Sequence, residues 1–489
     1  MKKLLCILLA GLMLLSVCAC GNGTENTPTD SSAVTKSEES EQETKESLDI
    51  PDTRYDGMEL TFITRDAGEW TTVDICPEDE NHTDNISQAV YERNEIIRDK
   101  YGIVIKEIQS TDVGGAVARE TSATSGDFQV AVSKIDDACN MVNNLYLTNL
   151  NAEGCENLDV TKPWWDGKLA DNMTIEDRLY FATGDLLTSD NDGTFAILFN
   201  KSLATDCKLP DMYELVSSGK WTMDAMYQYE LLAVNDKDGD GKLSYDSDVC
   251  GFAYTGDTPY CMLYAGGVTL ISRDEDGSPV YSLDLERASN IADSVRLILS
   301  KDTTVDMNAA GGSVVEVGQK CFGENHCLFF GECLQCVTRV RGYDVDFGIL
   351  PYPKYDEVQK EYCSLMEWVG CVVSIPRSVS VDQREMICSM LEAMAYYSVD
   401  TLTEQYYEIN LKTKHSKDEQ SGPMIDLILA NRIYDLAYTF RWGGVVDSLA
   451  GTMRPGSSSS VASSSQRYQK SLENSVKQLL KKIENSKYE

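Results

Sequence analysis

The chain has 489 residues, with 43 Lys and Arg against 79 Asp and Glu, a net charge of -36 and 16 cysteines. This length exceeds what one small core supports and implies two domains or lobes. So acidic a balance excludes a phosphate-neutralising nucleic-acid surface and attachment to anionic lipid by charge, and it favours a neutral or cationic ligand over an anion.

The N-terminus opens with Lys2 and Lys3, followed by an apolar run from Leu4 to Val17. That run has signal-peptide length and is too short for an ordinary spanning helix. The next residues, Val17-Cys18-Ala19-Cys20-Gly21, resemble the lipobox of bacterial lipoproteins. The resemblance implies a signal peptide over 1–19, lipidation of Cys20, and anchoring on the extracytoplasmic face of the cell membrane. Two acyl chains hold a protein stably where one is marginal. Residues 20–56 then read as the lipidated cysteine and a disordered linker, because Ser, Thr and Glu dominate and little apolar surface is there to bury.

Residues Met58 to Thr64 alternate as a strand. Asp84-Asn85-Ile86 opens a helix with Ile86, Ala89, Val90, Ile96 and Ile97 inward and Arg93, Glu95 and Arg98 outward. It stops at Tyr101-Gly102, and Ile103 to Ile108 is a second strand. Strand, helix, strand at this spacing is a βαβ unit, so the body is α/β with a largely parallel sheet. Ala196 to Phe199 is a short buried strand, Thr222 N-caps a helix, and Cys371 to Ile375 is a strand ended by Pro376. Met386, Ile387, Met390, Leu391 and Met394 form the buried stripe of the next helix. Pro455 to Ser465 reads as a mobile Ser-rich loop, followed by a last helix with Leu472, Val476, Leu479, Leu480 and Ile483 on one face.

Four blocks carry a wider resemblance: DNISQAVYERNEIIRDKYGIVI from Asp84; YFATGDLLTSD from Tyr180 through LFNKSL at Leu198; ELVSSGKWTMDAM from Glu214; and FGILPYPKYD from Phe347 through Ile375-Pro376 to IYDLAY at Ile433. Together they resemble the extracellular solute-binding proteins, family 1, of bacterial ABC importers, in their lipoprotein form. The resemblance implies an α/β, two-lobed, periplasmic-binding-protein-like fold of type II, each lobe a sheet flanked by helices. Lobe 1 is expected over 57–182 plus 365–398 and lobe 2 over 183–364 plus 399–489, with crossings near Tyr180 to Asp185, near Trp368 to Ile375 and after Tyr397. It further implies a monomer that binds a carbohydrate, expected to be a neutral oligosaccharide, and hands it to ABC transporter permease subunits.

A sugar needs aromatic faces for its C–H surface and planar polar groups for its hydroxyls. Trp70 follows the first strand, at the end where a parallel sheet presents its ligand. Trp368 precedes a crossing strand, and Trp442 sits between Arg441 and Gly443-Gly444. These three tryptophans, with Asp66, Asp185, Asp190 and Arg441, form the expected ligand set, and Glu367 is a weaker member. Of Trp164 and Trp165 at most one faces the cleft, and Trp221, beside a helix cap, is packing.

The sharpest local motif is Asp236-Lys237-Asp238-Gly239-Asp240-Gly241-Lys242-Leu243-Ser244. Its oxygen donors at loop positions one, three and five, glycine at six and carbonyl at seven follow an EF-hand-type calcium loop. Ser247 stands where that loop has its closing glutamate, flanked by Asp246 and Asp248. The expected site is a structural Ca²⁺ held by Asp236, Asp238, Asp240 and Lys242 and closed by Asp246 or Asp248, and the alternative is an acidic turn without metal. No organic cofactor is expected.

Without Cys6, Cys18 and Cys20, 13 cysteines remain, an odd number that implies no disulfide framework. Cys321, Cys327, Cys333 and Cys336 cluster around His326 but lack paired CxxC spacing, so buried thiols are expected before zinc or redox chemistry. His82, His326 and His415 fall in no HExxH or nucleophile-elbow motif. No enzyme is expected. The alternatives are a surface glycan-active enzyme, whose carboxylate pair so acidic a chain cannot exclude, and a sugar sensor that does not transport.

Overall fold

The computed structural model describes residues 46–66, 73–77, 84–311, 313–407 and 420–486. Its strands are β1 (Glu59–Arg65), β2 (Val104–Ser110), β3 (Val130–Lys134), β4 (Phe195–Asn200), β5 (Cys250–Tyr254), β6 (Ile271–Arg273), β7 (Pro279–Tyr281), β8 (Thr304–Asp306), β9 (Cys327–Cys333), β10 (Phe347–Leu350), β11 (Ser364–Leu365), β12 (Cys371–Ser374) and β13 (Arg432–Ile433).

Two main sheets carry the architecture. The first has the order β12-β3-β1-β2 and the second β10-β4-β9-β5-β8. In the first, β1 lies parallel to β2 and β3 while β12 runs antiparallel to β3, with Cys371 opposite Lys134. In the second, β5 is parallel to β8 and β9, but β4 runs antiparallel to both β9 and β10. The sheets are therefore mixed instead of largely parallel. The antiparallel strand β12 belongs to the first sheet yet comes from a distant part of the chain, so no βαβ crossover sets its direction.

Local chemistry explains the elements. The Asp84 carboxylate accepts from the amides of Ile86 and Ser87 at 3.0 and 2.9 Å, and Gly102 closes the helix Asn85–Tyr101 at φ 73°. Arg93 is turned inward on that helix, against the outward reading. It is fully buried, and its Nη2 donates to the carbonyls of Asp74 at 2.7 Å and Ile75 at 3.2 Å. Satisfied donors make an interior guanidinium affordable where periodicity alone puts a charge in water.

The last helix, Val461–Glu484, also begins earlier than its apolar face suggests and absorbs half of the Ser-rich segment. Ser460 and Ser463 cap it reciprocally, Val461 is buried, and Ser465 Oγ lies 2.8 Å from the Tyr281 hydroxyl. A serine run at a helix start supplies caps as readily as a loop.

The chain passes between the sheets through tight contacts. Ala182 bridges Val373, Trp165 bridges Gly184 and Thr194 bridges Met366. A Cβ on Gly184 would lie 2.3 Å from the Trp164 carbonyl oxygen, so only glycine allows that approach. Near these crossings, β11 pairs with β13 and a π-helical turn, Val399–Thr403, follows the helix Val381–Ser398.

Candidate functional site

The turn Glu367–Gly370 lies where the two sheets meet. From the first sheet, Arg65 at the end of β1 donates to the Val369 carbonyl at 3.2 Å, and the amide of Ile135, just after β3, donates to that of Gly370 at 2.9 Å. From the other side, Glu332, near the end of β9, brings a carboxylate oxygen within 4.8 Å of one from Glu367 and of the Cys333 sulfur. The carboxyl ends of β1, β3 and β9 thus converge on one turn, which is where α/β sheets present ligands.

Trp368 is the half-buried centre of this region. The Lys134 ammonium stands 5.0 Å from its ring centre and the Arg441 guanidinium 5.5 Å. Lys134 is itself 3.5 Å from both Asp136 and Asp137. Arg441 is held at φ 50°, followed by Gly443 and Gly444 at 65° and 68°. Its guanidinium is 3.7 Å from Asp447, which also accepts from Tyr260 at 2.8 Å. A strained left-handed backbone thus aims a half-exposed cation at an indole.

Glu367, next to Trp368 in the chain, belongs to a buried acidic group. Burial pushes the Glu332 carboxyl up to about 7, and it pushes Glu367 well above the carboxylate range, with Glu332 and Asp257 adding repulsion. Burial also raises Asp257, against the pull of Arg441 and Arg454. The buried Glu367 Oε2, Tyr438 hydroxyl and Trp442 indole N–H have no hydrogen-bond partner among the described residues. Buried polar groups are normally paired, and these three add unspent donors and acceptors to the region around the turn.

The expected ligand residues have separate fates. Asp66 is exposed at the end of β1, and Trp70 lies outside the described residues. Asp185 accepts from Thr403 Oγ1 at 2.9 Å and its amide donates to the Trp164 carbonyl at 2.9 Å. Asp190 is buried and ion-paired with Arg432 at 2.8 Å, and burial raises its carboxyl to about 6. Trp442 is 2% exposed and packed on Phe440 with ring centres 4.8 Å apart, so it backs Arg441 and offers no open face. Among the described residues of this set, Trp368 and Arg441 are brought together across the chain.

Both Trp164 and Trp165 are buried, and each indole N–H donates to Glu392 at 2.8 Å. Trp221 is fully buried and donates to the Pro351 carbonyl at 2.8 Å. Sequence reasoning missed Lys134, Asp257, Glu332 and Tyr438. The signal for Glu332 was legible: it is the one charged residue in the apolar strand CLFFGEC.

The acidic loop closes on itself. Asp236 accepts from the amides of Gly239 and Gly241 at 2.7 and 2.9 Å, and Asp238 and Asp240 each accept from an amide two residues on, at 3.0 and 2.8 Å. These three aspartates bring one oxygen each within 4.8 Å of one another. Asp246 accepts from Ser244 Oγ at 2.5 Å. Asp248 accepts from the amides of Lys237 and Ser244 at 2.9 and 2.8 Å, so it clamps the loop from inside. Lys242 Nζ plays no part in this geometry, since position seven of such a loop uses a carbonyl. Cys20 lies outside the described residues. His326 Nδ1 is 2.6 Å from the Asp248 carbonyl oxygen.

Comparison with solved structures decides the architecture. An ABC substrate-binding protein from Listeria monocytogenes in complex with cycloalternan superposes at TM-score 0.52, over 88% of this chain and 100% of that one, at 10% identity. The chain has the type II periplasmic-binding-protein fold. A protein from Mycobacterium tuberculosis in complex with glycerophosphocholine matches this type II fold at TM-score 0.54, 17% identity, and 80% and 95% coverage. A sugar transporter from Rhizobium etli in an open conformation matches it at TM-score 0.54, 11% identity, and 88% and 100% coverage. No family signature and no curated protein matches the sequence.

Proposed function

We propose that this chain is the substrate-binding protein of an ABC importer, and that it takes a carbohydrate in the inter-lobe cleft without transforming it. The observation that carries this reading is Trp368 with Lys134 and Arg441 over its ring, next to a buried acidic group with unspent donors and acceptors. An indole face suits the C–H surface of a sugar ring, and paired cationic and carboxyl groups suit its hydroxyls. The cycloalternan complex among the proteins of like fold supports the same class. A neutral oligosaccharide fits a chain of net charge -36 better than an anion does.

In this reading the lobes are 57–182 plus 365–398 and 183–364 plus 399–489, and they close on ligand by bending at their crossings. The closed monomer presents the sugar to permease subunits. Cys20 carries the lipid that keeps the protein at the extracytoplasmic face of the cell membrane. Asp236, Asp238 and Asp240, with the Lys242 carbonyl, hold a structural Ca²⁺ that braces the second lobe.

A thermal-shift screen of mono- and oligosaccharides, with and without Ca²⁺, tests the reading. At least one sugar is expected to raise the Tm by several degrees, as ligand binding to the native state alone requires. No shift with any sugar removes the carbohydrate assignment. A Ca²⁺ effect retained in Asp236→Asn removes the calcium site.

A further inference from the structure

The second sheet holds a group of three cysteines that solute binding does not use. Cys250 opens β5 and Cys327 opens β9, and the two parallel strands pair them as direct neighbours. Cys321 comes from the last turn of the helix Val314–Gly323. The three sulfurs lie within 4.8 Å of one another, and all three residues are fully buried. Ala196, Leu198, Ala253, Phe322 and Phe330 pack in the same core cluster, so the surroundings are dry and apolar.

We propose that Cys250, Cys321 and Cys327 form a three-sulfur site for a soft monovalent metal ion, copper(I). A metal held by three thiolates at about 2.3 Å requires sulfurs about 4 Å apart, and the 4.8 Å limit on this triangle leaves room for that arrangement with small side-chain shifts. Soft sulfur ligands select Cu(I), zinc or iron–sulfur clusters. Structural zinc takes four ligands, and clusters need four cysteines. Among the described residues no fourth Cys, His or carboxylate joins the group. His326, next in sequence to Cys327, is turned to the Asp248 carbonyl. Three dry sulfurs without a fourth donor match the ion that accepts three-coordination.

Loading breaks S–H bonds and forms Cu–S bonds. The protons leave to solvent, no electron changes hands, and the ion enters as Cu⁺. Because the site has no exposed face, the ion enters during folding or when the helix Val314–Gly323 lifts.

The test uses the full chain, refolded anaerobically with Cu(I) buffered by a competing chelator. One equivalent is expected to survive gel filtration, with X-ray absorption showing three sulfur neighbours and no nitrogen or oxygen. Cys250→Ser and Cys321→Ser are expected to lose that equivalent, while the Cys155→Ser/Cys388→Ser double variant, altered at a separate thiol pair, retains it. The proposal is overturned by no retention in the wild type, by undiminished retention in folded Cys321→Ser, by a four-ligand shell, or by zinc displacing copper. The wild-type absorption spectrum decides the matter even where a serine variant fails to fold.

Discussion

The Arg441 guanidinium lies 5.5 Å from the centre of the Trp368 ring, with Lys134 at 5.0 Å from the same ring. Two residues 73 positions apart in sequence thereby become one recognition element. Cation–π pairs of this kind contribute about 0.5–2 kcal/mol. Trp368→Ala is expected to weaken sugar binding at least tenfold, and Arg441→Ala several-fold. Calorimetric titration of both variants and of the double variant measures the coupling. Strict additivity of the two losses would show that the pair does not act together.

The buried acidic group gives the unliganded protein a pH dependence of defined sign. Glu332 is pushed by burial from 4.5 up to about 7, so the native state holds a proton that the unfolded chain has released. That stabilisation is complete below about 4.5 and is lost as pH rises through about 7. At one pKa unit per about 1.4 kcal/mol the effect reaches about 3 kcal/mol at most. Stability from urea melts should therefore fall between pH 5 and pH 7.5, and Glu332→Gln should flatten the slope. Equal slopes in the two proteins would remove Glu332 from the account.

Glu392 accepts from the indole N–H groups of both Trp164 and Trp165 at 2.8 Å. Burial pushes its carboxyl up to about 7, although both indoles pull against the rise. Glu392→Leu leaves both buried indole donors unsatisfied, at about 1–3 kcal/mol each, and also removes the acceptor of the Asp159 amide, which donates to Glu392 at 3.1 Å. Glu392→Gln keeps one acceptor oxygen and is expected to lose about half as much. Denaturant unfolding followed by tryptophan fluorescence checks both values. A tolerant Glu392→Leu variant would mean that the indoles find other acceptors.

Arg432 ties the crossings together. It pairs with Asp166 at 3.0 Å and Asp190 at 2.8 Å, and Tyr434 donates to Asp166 at 2.7 Å. Arg432→Met leaves two buried carboxylates uncompensated and is expected to cost about 3–5 kcal/mol. Asp190→Asn should cost less, since Arg432 keeps Asp166. If the two variants are equally stable, the ion pairs do not brace the crossing.

Much of the framework was legible in the residues. Asp84 and Thr222 cap the helices their spacing announces, because capping is a contact of two or three residues. The strand–helix–strand opening was equally local, and so was the acidic loop, whose Asx turns need only their own backbone.

Where local patterning failed, a distant partner decided. Arg93 is inward because Asp74, Ile75 and Ser398 offer it oxygens. Trp442 is packed away by Phe440, whereas Trp368 stays half-exposed on a turn held by Arg65 and by the Ile135 amide. Cys250 joins Cys321 and Cys327 only through strand register, and spacing had pointed instead to Cys333 and Cys336. Composition, periodicity and capping by themselves determined an acidic α/β chain, since each depends on neighbours along the chain. The tertiary structure alone decided which aromatic meets which cation, which acids lose their water and which sulfurs meet. Those depend on sheet register and crossing geometry, which no short stretch of sequence encodes.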